Sequence, residues 1–162
     1  MHDKFSFNGQ RENEEVSYIV RNHPFVLFFP GLKTILFLVL GIATVMFISN
    51  QASGLVLVVC LAISLGIFAR AYYDFSQSVL IITNQRLISV SQKGFWKRKI
   101  TETELDKIQD VASNTDGFFR IMLKYGDLVV RTAGATQGGE IIVKDIGNPY
   151  EVQQKIAKLY KL

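Results

Sequence analysis

From Thr34 to Ala69 the chain carries no charged side chain, a run of 36 residues between Lys33 and Arg70. A single helix of that length would rise about 54 Å, well beyond the ~30 Å hydrocarbon core of a bilayer. The pattern therefore predicts a helical hairpin over residues 31–73, with spans at about 31–49 and 54–73. Its turn falls at the polar cluster Ser49-Asn50-Gln51-Ala52-Ser53-Gly54. Upstream, the leader to Glu15 is polar and reads as poorly ordered. Residues 16–32 are apolar and aromatic, but Pro24, Pro30 and Gly31 interrupt any long helix. Residues 1–30 thus read as a leader and an interfacial approach, with Phe25, Phe28 and Phe29 at headgroup depth. Phe28, Phe29, Lys33, Arg70, Tyr72 and Tyr73 are the expected anchors at the membrane interfaces, Lys33 by snorkelling.

After the apolar run, residues 74–162 change period. Short β-branched and aromatic runs alternate with turn signals. Seven strands are predicted, at Ser78–Thr83, Leu87–Ser91, Phe95–Thr103, Lys107–Ala112, Phe118–Lys124, Leu128–Thr132 and Glu140–Asp145, with Gly138-Gly139 in the last turn. Asn148, Pro149 and Glu151 then stand in the order of an N-cap, a first helical residue and a third one. Val152, Ile156, Leu159 and Tyr160 follow at i, i+4, i+7 and i+8, the apolar stripe of a helix closing the β-domain. The fold class is therefore a membrane-anchored α+β chain: a two-helix transmembrane hairpin, then a mostly-β domain with one C-terminal capping helix.

Charge adds orientation. Residues 1–33 balance four basic against four acidic side chains, so the formal excess of +4 lies wholly after the hairpin. The loop between the spans is uncharged while both flanks carry Lys or Arg, which by the positive-inside rule puts both termini in the cytoplasm of a multi-pass cell-membrane protein. The surplus suits an anionic leaflet and is too interspersed for nucleic acid. Cys60 stands alone inside the second span, which excludes an intramolecular disulfide or a cysteine zinc site. Both histidines, His2 and His23, precede the spans, and no HExxH, GxSxG, P-loop or CxxC spacing occurs. No catalytic residue, metal or cofactor is expected.

Two features offer binding instead. Trp96, Lys97, Arg98 and Lys99 set an aromatic residue before three cations, a grip for lipid phosphate or, more plainly, a charged edge strand. In the second span Gly54, Ala62, Ser64, Gly66 and Ala69 permit close helix packing, within the hairpin or with a further helix.

The motifs ITNQRLI (Ile82–Ile88), GFWKRK (Gly94–Lys99), LDKIQDV (Leu105–Val111), YGDLVVRTAG (Tyr125–Gly134) and NPYEVQQKI (Asn148–Ile156) resemble, in order and spacing, the membrane-associated bacterial pleckstrin-homology (PH) domain family. The lead-in EEVSYIVRNHP (Glu14–Pro24) also resembles that family's approach to its two transmembrane helices. The resemblance implies a PH-like domain of about seven strands and a capping helix, and a non-enzymatic role. It carries no phosphoinositide ligand with it. Thr83-Asn84-Gln85-Arg86 reads as a tight turn, and Gln109-Asp110 as a strand irregularity. The function expected is binding or scaffolding at the cytoplasmic face through protein–protein assembly, with a second copy or another membrane protein. The alternative is anionic lipid held by the hairpin around Lys97–Lys99.

The topology has a direct test. In a Cys60→Ala background, Ser53→Cys is expected to react with an impermeant maleimide added outside the cell. Labelling only from the cytoplasmic side overturns the orientation.

Overall fold

The computed structural model describes residues 9–48, 51–133 and 140–160. They fall into two compact units. One comprises residues up to His23, then Gln77–Ser91 and Arg98 onward; the other comprises Pro24–Ser76 with Gln92–Lys97.

The second unit is built on two helices, α1 (Phe28–Phe47), entered through a 3₁₀ turn at Pro24–Leu27, and α2 (Gln51–Gln77). At 1.5 Å per residue these rise about 30 and 40 Å, enough to cross a hydrocarbon core. Almost nothing on them is buried by protein. Phe47 is 85% exposed and Leu55 and Leu65 are each 70% exposed, far more apolar surface than a water-soluble chain leaves open. Where the helices touch, Gly41 makes room: a Cβ there would lie 2.9 Å from that of Cys60. Ser64 is buried beside them, its hydroxyl donating to the Leu61 carbonyl. Of the small residues considered for packing, Ser64 thus serves the pair, while Ala62, Gly66 and Ala69 remain exposed. Residues 51–54 already belong to α2, and Ser49 and Asn50 lie outside the described residues.

In the first unit seven strands form two sheets: β1 (Val16–Arg21), β2 (Val79–Thr83), β3 (Arg86–Lys93) and β4 (Lys97–Glu104) in that order, and β5 (Ile108–Asn114), β6 (Tyr125–Thr132) and β7 (Glu140–Gly147). All pairings for which a register is resolved are antiparallel. Helix α4 (Pro149–Tyr160) closes the sandwich. Leu80, Ile82 and Leu87 of the first sheet meet Val111, Leu128, Val130, Ile141, Val143 and Ile146 of the second, and Val152 and Ile156 of α4 complete the same core. This is a PH-like fold.

Two expected elements differ. Val16–Arg21, read as part of an interfacial approach, is an edge strand whose Val16–Arg21 register runs along β2 from Thr83 to Val79. Its backbone satisfies an edge of β2 that would otherwise be open. Phe118–Lys124, read as a strand, contains the short helix α3 (Phe118–Met122). Gly117 at φ 106 and Lys124 at φ 53 turn the chain out of the sheet on either side of it, and Phe-Phe-Arg-Ile-Met lacks the alternation a half-buried strand needs. The total remains seven because β1 replaces the missing strand. The Gly138-Gly139 turn lies outside the described residues.

Two motif positions gain physical reasons. Gly126 cannot carry a side chain, since a Cβ would stand 2.3 Å from the Asn114 carbonyl oxygen on the neighbouring strand. The Gln109-Asp110 pair coincides with a register shift between Ile108 and Asp110, and both side chains face outward.

Ile156 has no solvent-accessible surface. Ile156→Ala is expected to lower the unfolding free energy by about 2–5 kcal/mol, read by chemical denaturation of the full chain in detergent. A cost below about 1 kcal/mol would mean that α4 does not close the core.

Candidate functional site

Strand direction gives the sandwich two distinct ends. At one, β1 ends at Arg21 opposite Val79, where the chain departs for the helices and returns from them. This is called the entry end. The opposite end holds the Thr83–Arg86 turn, the 3₁₀ turn Leu105–Lys107 and the start of β5.

At the far end stands a buried ion pair that local sequence does not announce. Arg86 opens β3, where its guanidinium is 7% exposed, and Glu14 from the leader is brought to it fully enclosed. Nε and Nη2 donate to the two Glu14 carboxylate oxygens at 2.8 and 3.0 Å. Nη1 donates to Glu102 at 2.6 Å and Nη2 also to the Gly9 carbonyl at 2.7 Å. The turn reinforces the pair. The Thr83 hydroxyl lies 2.9 Å from Glu14 Oε1, and Asn84 accepts from the Glu15 N–H and donates to the Asn13 carbonyl. Gln85 donates to the Glu12 carbonyl, and the Gln10 amide to that of Glu14. The leader read as disordered is thus clasped from Gly9 onward by the ITNQR turn. Hydrogen bonding from Arg86 outweighs desolvation and holds the Glu14 carboxyl at about 2, below its ordinary 4.5. Glu14 in turn raises the Arg86 pKa.

Beside the clasp lies an open cleft of about 290 Å³ lined by Arg11, Arg86, Glu102, Thr103, Glu104, Lys107, Thr132 and Ala133. Its charges are matched internally: Arg11 and Lys107 both bond Glu104, at 3.4 and 2.6 Å. Among the described residues no three His, Cys, Asp or Glu side chains converge as a metal site requires.

The residues singled out for binding lie elsewhere. Phe95 and Trp96 form the tip of the β3–β4 hairpin, 57% and 95% exposed, and Lys97, Arg98 and Lys99 follow as exposed residues of β4. Since β4 is an edge strand, its cations also hinder pairing with other chains. The tip is fixed. Gly94, at φ 66, donates its N–H to Asp74 Oδ1 at 2.6 Å, and Phe95 packs on Tyr73 with ring centroids 5.0 Å apart. Asp74 and Tyr73 both belong to the last turns of α2, so the hairpin tip is tied to that helix. Of the expected interface anchors, Tyr73 is half-buried, whereas Phe28, Phe29, Lys33, Arg70 and Tyr72 are exposed on their helices. Phe25, Phe28 and Phe29 cluster, Phe25 stacking on Phe28 at 4.9 Å.

A sandwich of two antiparallel sheets closed by a C-terminal helix and joined to two long apolar helices defines a PH-like domain with a helical pair. The family model described as "Bacterial PH domain" matches residues 31–160. The chain belongs to the bacterial PH domain family. Among solved structures it is similar to a DUF1696 family protein with a pleckstrin-homology domain from Shewanella loihica PV-4, at 18% identity and a TM-score of 0.41. That similarity covers 53% of this chain and 73% of the other. Comparison with curated proteins finds no match.

The clasp predicts an acid response. Because folding lowers the Glu14 pKa, the stability it confers is complete above pH 4.5 and is lost as pH falls toward 2. The raised Arg86 value acts only in strong alkali. Hydrogen exchange is expected to show the β1 amides losing protection through that acid window. In Glu14→Gln their protection should already be reduced at neutral pH, by about 3 kcal/mol, the low end for a broken buried pair because Glu102 remains. Identical pH profiles for the two proteins would remove the clasp from this role.

Proposed function

We propose that the chain is a non-enzymatic binding module, anchored in the cell membrane by α1 and α2 with both termini cytoplasmic, whose β3–β4 hairpin rests on anionic lipid headgroups. The observation that carries this reading is the hairpin tip. Trp96 is almost wholly exposed, followed by three exposed cations, on a turn fixed to the end of an apolar helix. An indole is at home in the interfacial layer, and each cation beside an anionic leaflet contributes about 1 kcal/mol. Orientation has support beyond charge. The two strands that flank the helical pair, β1 and β2, are hydrogen-bonded neighbours, which supports a common side for both ends of the pair.

The scaffolding reading draws on a different surface. Gly41, Cys60 and Ser64 make the contact between the two helices, while Ala62, Gly66 and Ala69 stay exposed on α2. Small residues on a lipid-facing helix suit close packing against a second copy or another membrane protein.

Trp96 is the single tryptophan, so its emission reports the hairpin alone. In nanodiscs of the full chain, emission is expected to shift to the blue and be quenched by brominated lipid as the anionic fraction rises. Lys97→Glu with Lys99→Glu should abolish the dependence, and high salt should weaken it. Emission indifferent to lipid charge at low salt would leave scaffolding as the function.

A further inference from the structure

The connection from β5 to β6 also reaches the entry end, and its surface is apolar. Four of the five residues of α3 are apolar and open to solvent: Phe118 74%, Phe119 51%, Ile121 64% and Met122 57%. No residue of this helix is buried. We infer that α3 is a second membrane contact, an apolar foot that enters the headgroup layer of the bilayer holding α1 and α2. The inference rests on the anchoring proposed above and is independent of the hairpin.

Location supports it. Asn114 at the end of β5 pairs with Asp127, and Tyr125 at the start of β6 pairs with Gly147. Tyr125 stacks on His23 at 5.1 Å, and His23 immediately precedes Pro24, where the chain turns into the first helical segment. Its N–H donates to the Asp145 carbonyl at 2.7 Å, and Asn22 bridges Ile146. The foot therefore ends three residues before a ring that touches the last residue ahead of the first helical segment.

The helix is also held rigidly. Five residues do not sustain a helix alone in water. Here the one polar member, Arg120, is turned inward to Asp127 at 3.1 Å and Asp145 at 2.7 Å, with its guanidinium 5.7 Å from the Tyr125 ring centre. The Asp145 N–H donates in turn to Asp127. Both carboxylates lower the energy of the charged guanidinium against desolvation, and their own charge is offset before it can repel an anionic surface. The clamp fixes the backbone and leaves the apolar side chains outward.

Area separates the possible occupants. Four side chains at these exposures offer roughly 500 Å², against ~800 Å² per partner in a stable protein interface. The patch is too small to hold a second protein alone, yet large for an idle surface. Aromatic and aliphatic groups at the edge of a membrane-anchored domain need no such area, since anchoring has already brought them to the interface.

The test uses the full chain in nanodiscs of brominated phosphatidylcholine with phosphatidylglycerol, in a Cys60→Ala background. A bimane label is placed at Phe118→Cys, at Met122→Cys, and at Asp106→Cys on the far end. Several-fold stronger quenching by the bromolipid at positions 118 and 122 than at 106 is the expected result. Quenching at 118 and 122 no stronger than at 106 overturns the inference, whether aqueous iodide reaches those labels or a protein contact shields them. Trp96 quenching in the same samples reads the hairpin separately, so either contact can fail while the other stands. The paired label sites guard against one substitution disturbing α3.

Discussion

A guanidinium enclosed in a β-sandwich stays charged only where a carboxylate comes to meet it, because an isolated buried charge costs several kcal/mol. Arg86 imposes that demand at the head of β3, and its partner lies 72 residues earlier in the chain. From Gly9 onward the leader gathers around it. Glu14 is drawn under the turn, Asn84 and Gln85 take the backbone on either side, and the strand that follows must run along β2. Since β1 continues into the first helical segment, the same pair also settles which edge of the sheet the chain departs from. A polar interaction at one end thereby fixes the exit at the other.

The sandwich consequently separates two kinds of surface. At its far end the cleft is bounded by charged groups already committed to one another: Arg86 to Glu102, and Arg11 and Lys107 to Glu104. Its entry end carries apolar side chains that the protein does not cover. The two apolar connections are stiffened by a similar device, a short polar clamp on a turn: Asp74 on Gly94 in one, Arg120 on Asp127 and Asp145 in the other.

Much of this was legible where periodicity and local chemistry agree. The uncharged run marks the helices, and Asn148-Pro149 with the Val152–Ile156 stripe marks α4 and its buried face. Tight turns at Thr83–Arg86 and a bulge at Gln109-Asp110 follow from residue type. The errors share one cause, which is that tertiary partners decide short segments. VSYIVR has strand composition, but only the open edge of β2 distinguishes a strand from an interfacial stretch. FFRIM has strand residues, but it is set off by the positive-φ turns at Gly117 and Lys124, and Arg120 reaches carboxylates on two other strands. The basic hairpin was found by its letters, whereas the apolar foot was hidden under a wrong element. Glu14 left no such trace, because its partner Arg86 stands 72 residues away and only the folded sheet buries it.

The span between Glu14 and Arg86 also sets an order of events during synthesis. At ~5–20 residues per second, the ribosome needs roughly 4 to 14 seconds to make the residues between them. Through that interval β1 has no sheet to join and Glu14 has no counter-ion. The N-terminal segment must therefore wait, solvated and single, while the helices are made. Only when β2 and β3 emerge can it be captured, and capture then closes a ring of chain around the helical pair. On the proposed anchoring the helices are in place before the sandwich closes, since β1 and β2, which flank them, pair only then.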